Sequence, residues 1–247
     1  MSALINVSRA QQAFTKAAPH YNHHAQFQRD AADKLIANVQ LKSSDIIVDL
    51  ACGTGYCGDW LSHPHTIYLD IAPTMLQQTA QSKMICADMM ALPLQSHSLD
   101  MIISNLGLHW AGHFEQALME CHRALKHGGK LLFSVPGPGT LRELQTAFAK
   151  EDAYTHIHPP ITTSQLKDAL HAFKNVTIQQ HSFVYHYTSF QALLNHLKNT
   201  GVSNAHPAQR QSLSTPALFK KVGEHYADLY GFPLPTTFEV LYVSAEA

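Results

Sequence analysis

Apolar positions change period several times along the chain. Between Val7 and Val39, Phe14, Ala17, Ala18, Tyr21, Ala25, Ala32, Leu35 and Ile36 fall mostly at helical spacing, with Pro19 interrupting. That pattern predicts two N-terminal helices. Ile46 to Leu50 is then a short apolar run ending in Ala51-Cys52-Gly53-Thr54-Gly55, with a helical stretch beyond it to Leu61. A buried parallel strand feeding a glycine loop and a helix has this form. The alternation continues with strands expected at Thr66 to Leu69, Met84 to Ala87, Leu99 to Ser104 and Lys130 to Val135, and helices at Pro73 to Gln81 and Phe114 to Lys126. Pro73 suits a first helical turn, and His127-Gly128-Gly129 reads as a helix stop. Repeated strand-helix units predict an α/β fold with a doubly wound, mostly parallel sheet that takes ligands at the carboxyl ends of its strands.

After Pro136-Gly137-Pro138-Gly139 the pattern loosens. Helices are expected at Leu141 to Lys150, Ser164 to Phe173, Phe190 to Asn199 and Pro216 to Tyr230, with strands at Val176 to Tyr187 and Thr237 to Val243. The chain thus divides into an N-terminal helical lid over residues 1–40 and a main domain over 41–247. The latter includes a mainly helical cap or insertion around 140–173 and 189–232.

A length of 247 residues sits between one and two domains and permits a sizeable core without metal or disulfide staples. Charged residues make up 14%, against about 25% in typical chains. The 17 basic and 18 acidic side chains leave a formal charge of −1, which argues against a polybasic nucleic-acid binder. The 18 histidines make that balance depend on pH. Residues 140–221 carry eight Lys or Arg against four Asp or Glu, a net +4, and the remainder nine against fourteen, a net −5; the segment is either an ordinary solvated surface or a docking face. Four cysteines, without a secretory start, read as reduced thiols in a cytoplasmic protein. No apolar run reaches the ~18 residues of a membrane span. Neither H-E-x-x-H nor paired C-x-x-C occurs, and His63-Pro64-His65 and His109 with His113 read as loop histidines, so no metal site is expected.

Gly53-x-Gly55-x-x-Gly58, with Asp70 seventeen residues beyond Gly53, formally meets the dinucleotide fingerprint, so a nicotinamide cofactor stays open on that pattern alone. Three carboxylates favour S-adenosylmethionine instead. Asp49, at the end of the first strand, can order the glycine turn and face the cofactor's ammonium. Asp70, followed by Ile71, stands where two ribose hydroxyls can donate to it. Asp88, between Ala87 and Met89, suits the adenine amine and ring. Asp88 could equally cap a turn, and Met75 could be plain helix core.

The set Val48-Asp49-Leu50-Ala51-Cys52-Gly53-Thr54-Gly55, Asp70, and Asp88 before Leu92-Pro93 resembles the class I S-adenosylmethionine-dependent methyltransferases, with their Rossmann-like sheet. A narrower resemblance runs through Phe14-Thr15-Lys16-Ala17-Ala18-Pro19-His20-Tyr21, Ala25-Gln26-Phe27-Gln28-Arg29, Ser104-Asn105-Leu106-Gly107-Leu108-His109-Trp110, Gly139-Thr140-Leu141-Arg142-Glu143-Leu144 and Leu234-Pro235-Thr236-Thr237-Phe238-Glu239-Val240. These segments are similar to the BioC family, the malonyl-acyl-carrier-protein O-methyltransferases of biotin synthesis. Cys57 and the histidine-rich segment from His156 to His158 depart from it. The resemblance implies methyl transfer to the free carboxylate of a malonyl thioester, carried by acyl carrier protein or coenzyme A. It implies that Tyr21 and Trp110 wall the pocket, that Arg29 holds the cofactor's carboxylate, and that Arg142 or His109 orients the malonyl group. Ala51, Gly53, Gly55, Ile71, Met75, Ala87, Met89 and Asn105 are expected to line the cofactor site beside Asp49, Asp70 and Asp88. Other readings remain open: a methyltransferase of a small hydrophobic or quinone-like substrate, a non-catalytic S-adenosylmethionine-binding regulator and, more distantly, a dehydrogenase.

Overall fold

The computed structural model describes residues 5–151, 154, 160–201 and 216–247. Three helices lead the chain: α1 (Val7–Ala17), α2 (Tyr21–His24) and α3 (Gln26–Ile36). Asn6 caps α1 by accepting the Arg9 N–H at 3.0 Å. Pro19 sits in a single 3-10 turn, Ala18–His20, between α1 and α2. A second break at Ala25 divides the single helix expected after Pro19.

The sheet follows: β1 (Ile47–Leu50), α4 (Tyr56–Leu61), β2 (Thr66–Asp70), α5 (Pro73–Leu76), β3 (Met84–Cys86), β4 (Leu99–Asn105), α6 (Phe114–Ala124) and β5 (Leu125–Pro136). Then come α7 (Arg142–Ala149), α8 (Thr163–Ala169), β6 (Lys174–Tyr187), α9 (Phe190–Asn199), α10 (Pro216–Tyr230) and β7 (Leu234–Glu246). The seven strands lie in the order β3-β2-β1-β4-β5-β7-β6. β1 to β5 are mutually parallel, while β7 runs antiparallel to both β5 and β6.

Alternation along the strands builds both faces. Val48, Leu50, Ile102, Leu131 and Phe133 pack against α6 and α8, whereas Ile47, Met101 and Ile103 pack against Ala32 and Ile36 of α3. A further cluster on β7, around Phe238 and Val240, receives α3, α7, α9 and α10. The region read from sequence as one cap is therefore split, since α8 belongs to the layer of α6 and the other three helices gather around β7.

Two expected elements differ. The helix expected to end at Gln81 stops at Leu76, and the Thr79 hydroxyl accepts the Gln81 N–H instead, a local alternative to helix. His127-Gly128-Gly129 does not end α6, which stops at Ala124; it lies inside β5. There the pairing with β4 shifts register between Leu99 and Met101, and Gly128 supplies the φ of +77° that the bulge needs.

Candidate active site

The strand order reverses between β1 and β4, where an open α/β sheet forms its crevice. A cleft of about 1020 Å³, counted out to open solvent at its mouth, lies there. β1 and its following loop contribute Asp49, Ala51 and Gly53 to the wall; β2 and α5 contribute Asp70, Ile71 and Met75. Asp88 and Met89 come from the turn after β3, and Asn105 and Trp110 from the end of β4 and its following 3-10 turn. Tyr21 and Arg29 close the cleft from the N-terminal helices.

Four expected site residues lie outside this wall. Gly55, at φ +89°, starts α4 as its N-cap. Ala87 donates its N–H to the Asp70 carbonyl at 3.1 Å. His109 lies against Trp110, ring centroids 5.0 Å apart. Arg142 is 63% exposed on α7 and pairs with Glu143 at 3.2 Å.

Glycine has a distinct use at each of two loop positions. At Gly53, φ is +56° and an added Cβ would meet nothing within 4 Å, so the turn leaves open space beside the chain. At Gly58 a Cβ would stand 2.5 Å from the Tyr68 ring, so its absence lets α4 lie against β2. Asp49 accepts the Gly58 N–H at 2.9 Å and so fixes the first turn of α4. Asp70 accepts from Gly53 at 2.9 Å and Ala72 at 2.8 Å, tying the glycine loop to the end of β2. Both carboxylates are buried. Burial pushes Asp49 up to about 7, partly offset by the Gly58 amide. Asp70 is also raised by burial, with the Ala72, Gly53 and Ile71 amides opposing. Asp88 accepts from Met90 at 2.9 Å, so it does cap a turn while facing the cleft.

The N-terminal helices close over these strand ends through contacts that no sequence pattern announces. Gln11 donates to the Ile71 carbonyl at 2.7 Å, and the Thr54 hydroxyl donates to Asn22 at 2.7 Å. Phe14 meets Trp110 edge to face at 5.4 Å. Arg29 donates to the Asn22 carbonyl at 2.7 Å and to Gln26 at 3.0 Å, bracing α2 against α3. Burial raises the Tyr21 hydroxyl well above its ordinary pKa, so it stays a phenol and a donor. Phe14 and Gln28 lay within the segments that carried the family resemblance, whereas the pairing of Asn22 with Thr54 left no signal.

Three carboxylates on successive strand ends, facing a loop that leaves room beside it, suit a cationic nucleoside rich in hydroxyls. A model of the methyltransferase domain matches residues 48–133. The YcgJ protein from Bacillus subtilis superposes with a TM-score of 0.60 at 14% identity, over 88% of this chain and 97% of that one. The fold is that of a class I S-adenosylmethionine-dependent methyltransferase. The malonyl-[acyl-carrier protein] O-methyltransferase 1 of Coxiella burnetii is 31% identical over 96% of this chain and 87% of its own length. The biotin biosynthesis bifunctional protein BioHC of Saccharophagus degradans is 34% identical over 95% of this chain, a match that spans 46% of the larger protein. The chain belongs to the malonyl-acyl-carrier-protein O-methyltransferase family, the BioC family.

Proposed function

We propose that this protein transfers the methyl group of S-adenosylmethionine to the free carboxylate of a malonyl thioester carried on acyl carrier protein, and that it works in the cytoplasm. The observation that carries the reading is the cleft itself, where Asp49, Asp70 and Asp88 face Tyr21 and Trp110 of the closing wall. Bound cofactor supplies an electrophilic methyl on a sulfonium. Asp70 is the acceptor for the ribose hydroxyls, since each of its oxygens already engaged by an amide keeps a further lone pair. Asp88, beside Met89, meets the adenine, while Asp49 and Gly53 meet the amino-acid end. Arg29 has five N–H donors and spends two on α2 and Gln26, leaving others for the cofactor's carboxylate.

No general base is needed, because a carboxylate with an ordinary pKa of about 4 is already ionised at neutral pH. Charge is neutralised as the methyl moves, so a site closed to water favours the transition state over separated, solvated ions. Phe14, Tyr21 and Trp110 supply that closure, and alignment of carboxylate and methyl supplies the remainder. His109, packed on Trp110, supports the wall. Arg142, exposed on α7, stands where it can meet a carrier protein rather than the reacting carboxylate.

A labelled-methyl transfer assay comparing malonyl carrier protein, malonyl coenzyme A and a small-molecule panel that includes quinones tests the proposal. Label on the malonyl thioesters alone supports it. Label confined to the small molecules gives the site to another substrate class, and cofactor binding without transfer gives it to a regulator.

A further inference from the structure

Charge is distributed unevenly around the cleft. Among the described residues its wall carries three carboxylates, Asp49, Asp70 and Asp88, against one Arg or Lys side chain, Arg29. With all four groups charged, three negative against one positive leave the wall at −2. Asp49 and Asp70 are buried, so solvent screens their field across the cleft less than it would for surface groups. The rest of the wall does little to offset them. Burial keeps the Tyr21 hydroxyl a neutral phenol, and Phe14, Leu106 and Trp110 add apolar surface. A second anion, such as a malonyl carboxylate, enters this cleft against repulsion, because a cleft lined mainly by one sign of charge favours ligands of the other.

Resting on the malonyl reading above, we propose that this acidic wall orders binding by charge: it holds the malonyl carboxylate off until a positively charged cofactor is in place, and neutral S-adenosylhomocysteine cannot take that part. Arg29 is matched by the cofactor's own carboxylate and Asp49 by its ammonium. The sulfonium is then the positive charge left to face the substrate, and the protein needs no cation of its own at that point. A unit charge about 10 Å away, at an effective dielectric of about 20, changes affinity by roughly tenfold. The coupling is mutual, so bound malonyl carrier protein tightens a cationic cofactor by the same factor. Methyl transfer removes the charge from both partners at once, which ends the attraction between them.

Calorimetry at pH 8, where Asp49 with its pKa of about 7 is ionised, separates charge from shape. Malonyl carrier protein is titrated into the cofactor-free protein, the protein saturated with S-adenosylhomocysteine, and the protein saturated with sinefungin, an unreactive analogue bearing an ammonium group in place of the methylsulfonium. Acetyl carrier protein, which lacks the carboxylate, is the control. Kd for malonyl carrier protein should be lower with sinefungin than with S-adenosylhomocysteine by about tenfold or more. Acetyl carrier protein should bind the two complexes within about twofold of each other, since it has no charge to tell them apart. Asp49→Asn keeps an oxygen to accept the Gly58 amide and removes one wall charge. The cofactor-free variant should therefore bind malonyl carrier protein severalfold tighter than the cofactor-free parent, with acetyl carrier protein unchanged. If the variant does not fold, the contrast between the two analogues decides alone. Equal malonyl affinity with both analogues, or the same preference for sinefungin with acetyl carrier protein, would overturn the ordering by charge and leave the proposed function standing. A parent protein that neither binds nor methylates malonyl carrier protein overturns the proposed function, and this ordering with it.

Discussion

At the residue scale, Asp70 holds two backbone amides as well as facing the cleft. Asp70→Ala should therefore weaken S-adenosylmethionine binding by about 1.5 to 3 kcal/mol, the range for a hydrogen bond to a charged group, and also lower thermal stability. Calorimetry and a melting curve on the same sample check both, and full affinity would take Asp70 out of the site. Asp49 governs pH. Its folded pKa of about 7 stands above the unfolded value, so the native state binds more protons between the two and this group's contribution to stability falls as pH rises through that window. A cation in the cleft reverses that penalty, so cofactor affinity should climb toward pH 7 and then level. In Asp49→Asn the climb should flatten; an equal climb in both proteins would assign it to another group. His196 works in the opposite sense. Burial and nearby His24 hold it down to about 4, so its contribution to stability is lost as pH falls from 6.5 through that value. Its neutral ring bonds the Tyr187 hydroxyl at 3.0 Å.

At the scale of elements, the N-terminal region falls into two parts. α1 and α2 cover the cleft, whereas α3 is built into the core: Phe27 stacks on Phe238 at 4.4 Å, Asp30 accepts from Tyr185, and Ala31, Ala32 and Ile36 are buried. Removing residues 1–24 should abolish methyl transfer while leaving a cooperative unfolding transition, because the closing wall goes and the sheet stays. Extending the deletion through residue 30 removes Phe27, a loss of about 3 to 5 kcal/mol by analogy with Phe→Ala in cores. Circular dichroism melts and the transfer assay check the pair; activity in the shorter deletion would refute the role of α1 and α2 as a cover. The helix-strand alternation was legible because several parallel strands centre on short apolar runs, such as Met101 to Ile103 in β4 and Leu131 to Phe133 in β5. Short breaks were not: Ala25 looks like any helical alanine, yet its backbone, at φ −87° and ψ 35°, leaves the helical range. Two further family-like segments prove to be one clasp. Thr237 donates to Glu143 through its N–H at 3.0 Å and its hydroxyl at 2.6 Å, and Glu239 accepts from Gly139 at 2.9 Å. Sequence marked both ends of that clasp and could not show that they meet.

At the scale of the whole molecule, the strand-end wall of the cleft was readable because three strand ends each carry a carboxylate at a position the fold fixes. The covering wall was not, because it is assembled from α2, α3 and the end of β4, joined by bonds such as Asn105 to the Gln28 carbonyl across 77 residues of sequence. Arg142 illustrates the limit: its charge and motif were visible, while its outward direction depends on α7. The basic segment between residues 140 and 221 gives a partner prediction. Lys198, Lys220 and Lys221 are exposed on α9 and α10, and Arg210 lies outside the described residues, as does the stretch from His156 to His158. Changing these three lysines to glutamate should raise KM for malonyl carrier protein, more so at low salt, and leave malonyl coenzyme A turnover comparatively unchanged. Equal losses on both substrates would place the lysines in the fold rather than at a docking face.

Among the described residues no cluster of three His, Cys, Asp or Glu is arranged to hold a metal ion, and no helix is long and apolar enough to cross a membrane. The chemistry proposed for the cleft is a single transfer between a sulfonium and a carboxylate. Mass spectrometry of the acyl phosphopantetheine arm, released after reaction of malonyl carrier protein with S-adenosylmethionine, tests it most directly. The expected product carries one added methyl on the terminal carboxyl oxygen, released as methanol by mild base. An added methyl on carbon, or an arm unchanged while the cofactor is consumed elsewhere, would contradict the account.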